Sequence, residues 1–178
     1  MNAGKTASLL TSSHNYKERG MKVLMLSSNI DTRSGTGKIV SRIGIESESH
    51  SFDKTEDLFA YLESQSPEKI SCVFVDEAQF LTEEQVWQLC KICDYYSIPV
   101  NCYGLRTDFK GQTFPGSNTL LGIADVLSEV KTICYCGKPA RMCILLDNGV
   151  VVKDGSQIHI GNTEYKTFCR KHWCENIS

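Results

Sequence analysis

The stretch CVFVDEAQF, residues 72–80, constrains this chain more than any other. A short apolar run, Cys72 to Val75, ends in two acids, Asp76 and Glu77. A run of this length, bounded by polar residues, reads as a strand buried on both faces of a parallel sheet. In open α/β sheets the carboxyl ends of the strands form the ligand site. An aspartate delivered there by a buried strand has the Walker B form, which presents a carboxylate to the Mg²⁺ of a nucleotide. The competing reading is a solvated strand end ahead of a helix.

A second, independent signal stands at the start. In MNAGKTASLL, residues 1–10, Gly4-Lys5-Thr6 matches the end of the phosphate-loop pattern G-x-x-x-x-G-K-[ST]. There Gly4 lets the backbone approach the phosphates. Lys5 supplies a point charge to the β- and γ-phosphates, and the Thr6 hydroxyl joins the Mg²⁺ shell. Alone the tripeptide is weak; paired with VFVDE it points to a P-loop nucleotide enzyme. Glu77, beside the metal ligand, suits proton abstraction from an attacking hydroxyl or orientation of an attacking water. Local chemistry leaves small-molecule kinase and ATPase both open.

The rest of the chain supplies the setting. Helices are expected over 4–19, 55–63, 82–96 and 117–124, the third opened by a capping box of Thr82 and Gln85. Strands are expected over 22–27, 70–75, 100–104 and 126–133. Residues 29–50, rich in Gly, Ser and charge, read as a long mobile loop. Apolar strands alternating with helices indicate a parallel sheet with helices on both faces. The expected division is a nucleotide-binding α/β domain over 1–133 and a small lobe over 134–178.

That lobe carries CYC at 134–136 and CRKH at 169–172. Cys134, Cys136, Cys169 and His172 make a donor set for a closed tetrahedral Zn²⁺ site, with Cys174 competing for the fourth position. Zinc would explain how so short a lobe folds. Nine cysteines in all, an odd number, argue against a complete disulfide framework. Cys90 and Cys93 share a helical face with Val86 and Leu89 and read as core; Cys72, Cys102 and Cys143 read as buried thiols. His14, His50 and His159 read as surface or structural residues.

Composition excludes several classes. A net charge of −2 gives no bulk case for nucleic acid or anionic membrane. No apolar run approaches the ~18 residues of a membrane span. With no secretory signal pattern, the expected location is the cytoplasm.

In their order, these motifs resemble the zinc-containing (type II) thymidine kinases, bacterial branch. The resemblance rests on MNAGKTASLL, Asp31-Thr32-Arg33, VDEAQFLT (75–82), YGLRTDFKGQTFPGS (103–117), KTICYCG (131–137), IGNTEY (160–165) and CRKHW (169–173). It implies a RecA-like P-loop domain with a zinc-binding lasso lobe, and transfer of the γ-phosphate of ATP to the 5′-hydroxyl of thymidine. It implies further that Met1, Asn2, Ala3, Gly4, Lys5 and Thr6 form the ATP loop. Asp31 lies near the magnesium, Arg33 near the phosphates. Asp76, Glu77, Ala78 and Gln79 line the nucleotide, with Glu77 as general base. Met1, Phe80, Leu105, Phe109 and Phe114 wall the thymine. Gln157, Ile158, His159, Ile160 and Gly161 belong to the lasso over thymidine, and Tyr165 lies near the sugar. A homotetramer with feedback inhibition is implied in the same way.

Two departures accompany the match. IGNTEY is one residue shorter than the related pattern. Similar enzymes also carry a strand before MNAGK, so the expectation is a start at an internal methionine, with the natural protein extending upstream. Losing a central strand would cost about 1–3 kcal/mol for each buried polar group left unsatisfied. An inactive remnant, retaining the zinc lobe as an interaction module, is therefore the alternative function. A zinc-lobe nucleic-acid binder driven by an ATPase is a third reading, disfavoured by the charge.

Overall fold

The computed structural model describes residues 3–30, 37–157 and 163–177. Two compact units emerge. The larger holds Gly4–Gly104 and Pro115–Ala124. The smaller holds Leu105–Phe114, Asp125–Ser178 and the described part of Met1–Ala3. The sequence predicts one boundary at 133/134; here the chain passes between the units several times.

In the larger unit the described elements run α1 (Lys5–Glu18), β1 (Lys22–Ser28), β2 (Lys38–Val40), β3 (Glu46–Glu48), β4 (His50–Phe52), α2 (Leu58–Ser64), β5 (Ile70–Asp76), α3 (Glu83–Tyr96), β6 (Val100–Cys102) and α4 (Pro115–Ile123). Parallel pairing in the order β4-β1-β5-β6 builds the sheet, with Leu24 opposite Val73 and Ser27 opposite Asp76. Side chains alternate across it, as strand geometry requires. Leu24, Leu26, Val73 and Val75 enter a core with Leu58, Leu62, Val86, Leu89 and Ile92. Met25, Cys72 and Phe74 face the other way and pack with Leu9 and Leu10 of α1. Both faces are thus covered, as an all-parallel sheet requires.

Polar groups place the helices. Asp57 caps α2 by accepting from the N–H groups of Phe59 and Ala60. Gln88 reaches across from α3 and accepts the Leu58 N–H at 2.9 Å. At the start of α3, Thr82 and Gln85 form the expected capping box. The same Gln85 amide donates to the carbonyls of Asp53 and Glu56, so one side chain joins two helix starts. His50, read as a surface or structural residue, lies 2.6 Å from a Glu56 carboxylate oxygen and stacks on Tyr61.

The described part of the expected 29–50 loop contains an antiparallel hairpin, β2–β3, followed by strand β4. Its Gly/Ser content conceals two devices. The Ser41 hydroxyl accepts the Ile45 N–H to close the turn, and Ile39 is buried against the α1 face. The expected strand over 126–133 is also corrected. No ladder forms there among the described residues beyond an isolated bridge at Ile133, and Val126, Leu127 and Ile133 are exposed. Its apolar residues suit a buried strand, but a strand needs a neighbouring edge to bond.

In the smaller unit β7 (Met142–Asp147), β8 (Val150–Val152) and β9 (Thr163–Phe168) form an antiparallel sheet in the order β8-β7-β9, with α5 (Arg170–Ile177) following. Phe109, Cys143 and Leu145 are its buried core, with Val152 and Tyr165 against them.

Close approach makes Gly116 demanding. A Cβ there would lie 2.7 Å from the carbonyl oxygens of both Ala78 and Leu81, backbone atoms that cannot swing away. Gly116→Ala should destabilise the protein by about 1–3 kcal/mol, the usual cost of overpacking. Urea denaturation at fixed slope checks this.

Candidate phosphate and metal sites

The phosphate site grows from the meeting of β5 and α1. β5 ends at Asp76, a residue only 6% exposed. The Thr6 hydroxyl, in the first turn of α1, donates to Asp76 Oδ2 at 3.1 Å. The other oxygen, Oδ1, is buried and has no hydrogen-bond partner among the described residues. Native structures rarely tolerate such an acceptor without a reason such as a ligand or ion. A hard divalent cation prefers oxygen ligands, so the carboxylate and the hydroxyl fit Mg²⁺.

Burial, and next the Glu77 charge, push the Asp76 carboxyl up to about 6. The Glu77 N–H, the Thr6 hydroxyl and the Lys5 charge pull the other way. A bound cation would add the positive charge that this carboxylate lacks.

Gly4 precedes the helix at φ 78°, a left-handed conformation that glycine adopts without strain. Among the described residues no side chain caps α1, and no acid stands in its first turn. The N–H groups and positive dipole end there suit an anion. Glu77 is also left-handed, at φ 52°, which costs a non-glycine residue about 1–2 kcal/mol. Strain of this kind clusters at functional sites. The Gln79 amide, on a residue 1% exposed, donates to the Glu77 carboxylate. Ala78, also buried, and Phe80 complete the short 3₁₀ turn that follows.

The metal cluster lies in the smaller unit. Donor atoms of Cys134, Cys136, Cys169 and His172 all fall within 4.8 Å of one another. Cys136 Sγ is 3.9 Å from Cys169 Sγ; His172 Nδ1 is 3.3 Å from Cys134 Sγ and 3.5 Å from Cys169 Sγ. A tetrahedron with Zn–S bonds of about 2.3 Å has S···S edges of about 3.8 Å. These side chains therefore fit a closed zinc site. Burial raises the Cys134 thiol, but the N–H groups of Cys136 and Cys169 and the His172 ring outweigh it and bring it down to about 6. That favours the thiolate a metal needs. The other ring nitrogen of His172 lies 3.9 Å from Glu175, and Tyr135 stacks on the imidazole. Cys174 is exposed and outside the cluster, which selects His172.

The remaining predicted residues distribute as follows. Phe109 is fully buried in the small core and Phe114 nearly so. Leu105 is half-buried, and Tyr165 sits opposite Leu145 on β9. Gln157 is half-buried, and its amide bonds Asp108. Met1, Asn2, Asp31, Arg33, Ile158, His159, Ile160 and Gly161 lie outside the described residues, as does His159's structural reading. Sequence reasoning missed Asp108 and Trp173. Asp108, 2% exposed, accepts from the N–H groups of Lys110 and Gln112. The Trp173 indole donates to the carbonyls of Phe109 and Cys143. Only the turn-forming sequence Asp-Phe-Lys-Gly hinted at the first.

Two outcomes follow. Because the folded Asp76 binds its proton more tightly than the unfolded one, stability without nucleotide should fall as pH rises from about 4 to 6, by about 3 kcal/mol. Asp76→Asn should remove that slope in thermal melts across this range, while wild type retains it. Cys134→Ser should lose about one Zn²⁺ per chain by elemental analysis, since one tetrahedral ligand is gone. Wild type purified without chelator and containing no zinc would refute the site.

The sequence comparisons agree with this geometry. A sequence profile described as Thymidine kinase matches residues 1–173. A thymidine kinase of Agrobacterium fabrum is 51% identical over all of this chain and 94% of its own length. One of Rhizobium meliloti is 52% identical over 99% of this chain and 93% of its own. That of Enterobacteria phage T4 is 54% identical over 98% and 92%. With the P-loop helix, the buried acid and the Cys₃His cluster in place, the chain belongs to the thymidine kinase family.

Proposed function

We propose that this protein transfers the γ-phosphate of ATP to the 5′-hydroxyl of thymidine. One observation carries the chemistry. The buried Asp76, with one oxygen on Thr6 and the other unpartnered among the described residues, stands beside the strained Glu77 at the end of β5. The substrate assignment comes from the family, whose named members are thymidine kinases.

In this reading the N-terminus of α1 and the Lys5 ammonium hold the triphosphate. Asp76 and Thr6 would hold Mg²⁺, which when bound would neutralise charge on the phosphate oxygens. Glu77 takes the proton from the 5′-hydroxyl as that oxygen attacks phosphorus, and ADP leaves. Gln79 aims Glu77 by donating to it, so it acts as a positioning residue. Asp31 and Arg33 are assigned to the metal and phosphate surroundings. Met1, Phe80, Leu105, Phe109 and Phe114, with segment 157–161 and Tyr165, are assigned to thymidine. Phe109 contributes as part of the loop's anchor, given its full burial. Zinc is structural, and a homotetramer in the cytoplasm completes the assignment. Among the described residues no helix is long and apolar enough to cross a membrane.

The test is a coupled assay of ADP release with thymidine. Wild type should turn over, and Glu77→Gln should lower kcat by about 10²–10⁴, the usual contribution of a general base, with little change in either KM. Unchanged kcat in Glu77→Gln would remove the base assignment. A well-folded wild type inert toward thymidine and ATP would favour the binding-module alternative.

A further inference from the structure

Within the smaller unit, the loop bearing Leu105, Phe109 and Phe114 turns on one buried carboxylate. Asp108 Oδ1 accepts the N–H groups of Lys110 and Gln112, both at 2.9 Å. Its own N–H donates to the Gln112 carbonyl at 2.8 Å, and the Gly111 N–H returns to the Asp108 carbonyl. The loop is thereby closed on itself by one residue.

The second oxygen points elsewhere. Asp108 Oδ2 accepts the Gln157 side-chain amide at 2.9 Å, across 49 residues of sequence. That amide also reaches the Thr113 carbonyl at 3.4 Å. Two residues earlier, the Gly155 carbonyl accepts the Lys110 ammonium at 2.8 Å. Two side chains thus tie the 105–114 loop to segment 155–157. Gln157 is the residue at which the chain enters 158–161, the stretch assigned above to thymidine.

A carboxylate suits this position because it only accepts, and here it faces three donors. Such charge-assisted bonds are stronger than neutral ones, and more so when buried. Asparagine would keep the two backbone donors satisfied through its carbonyl, but would turn an NH₂ group toward the Gln157 NH₂; flipping the Gln157 amide to meet it would set its oxygen against the Thr113 carbonyl.

We propose that Asp108 is a positioning residue for thymidine recognition: through Gln157 it holds the 105–114 loop and segment 155–157 as one latch. This rests on the thymidine assignment made above. Gln157 accordingly acts through its bond to Asp108.

The experiment compares wild type, Asp108→Asn, Gln157→Glu and the double variant. Each single change opposes like groups, two donors or two carboxylates. The double variant restores the bond with its polarity reversed, the amide introduced at position 108 donating to the carboxylate introduced at position 157. Each single variant should raise the thymidine KM about tenfold, equivalent to 1.4 kcal/mol, with the ATP KM within about twofold. The double variant should recover most of that loss. Equal effects on both KM values, or a double variant no better than the singles, overturns the proposal. Hydrogen exchange at the Lys110 and Gln112 amides separates this from the substrate assignment. Faster exchange in Gln157→Glu, regained in the double variant, supports the latch even if thymidine proves the wrong substrate. Unchanged exchange across the set overturns it.

Discussion

The hydrogen bond from Thr6 to Asp76 joins the two pieces of sequence from which the candidate phosphate site is built. Residues 70 apart meet because β5 and α1 share one face of the sheet, with Phe74 and Cys72 of β5 packing against Leu9 and Leu10 of α1. Packing sets the distance; the hydrogen bond sets the direction. The cost is a carboxylate taken out of water with one oxygen unsatisfied among the described residues. Such a group lowers the stability of the empty protein and raises its affinity for whatever brings positive charge to that oxygen. The site is thus built at the expense of the fold, a common arrangement where function is concentrated.

The smaller unit solves a different problem. Its core of Phe109, Cys143 and Leu145 is small, and below a certain size a hydrophobic cluster needs covalent or metal support. With zinc bound, the Cys₃His cluster would supply it, two of its donors standing where β9 hands over to α5. Trp173, adjacent in sequence to His172 of that cluster, donates to the Phe109 and Cys143 carbonyls. The helix that carries His172 of the candidate metal cluster therefore also grips the 105–114 loop and β7.

Much of this is legible in the sequence. Apolar runs at 22–27 and 70–75 form the paired strands β1 and β5, and the Thr82/Gln85 capping box is present as the sequence predicts. The zinc donors are legible because metal ligation needs particular residue types, whatever the backbone does. Other features resist. A three-residue strand such as β4 is too short for periodicity to register, and its pairing with β1 is a long-range event. The stretch 126–133 has the residues of a strand, but bonding edges are a tertiary property. Asp108 and Gln157 are hidden for another reason: their chemistry lies in a partnership across 49 residues, and neither is distinctive alone.

The left-handed backbone at Glu77 sets stability against chemistry at a single codon. Most L side chains there bear a steric penalty, asparagine and aspartate less than the rest, so glycine above all is the replacement that a screen for thermal resistance alone would enrich. Such a screen would erase the carboxylate proposed above as general base and leave a sturdier protein. Laboratory evolution of this fold toward heat tolerance therefore needs selection for turnover in the same round, and position 77 reports whether that selection was strict.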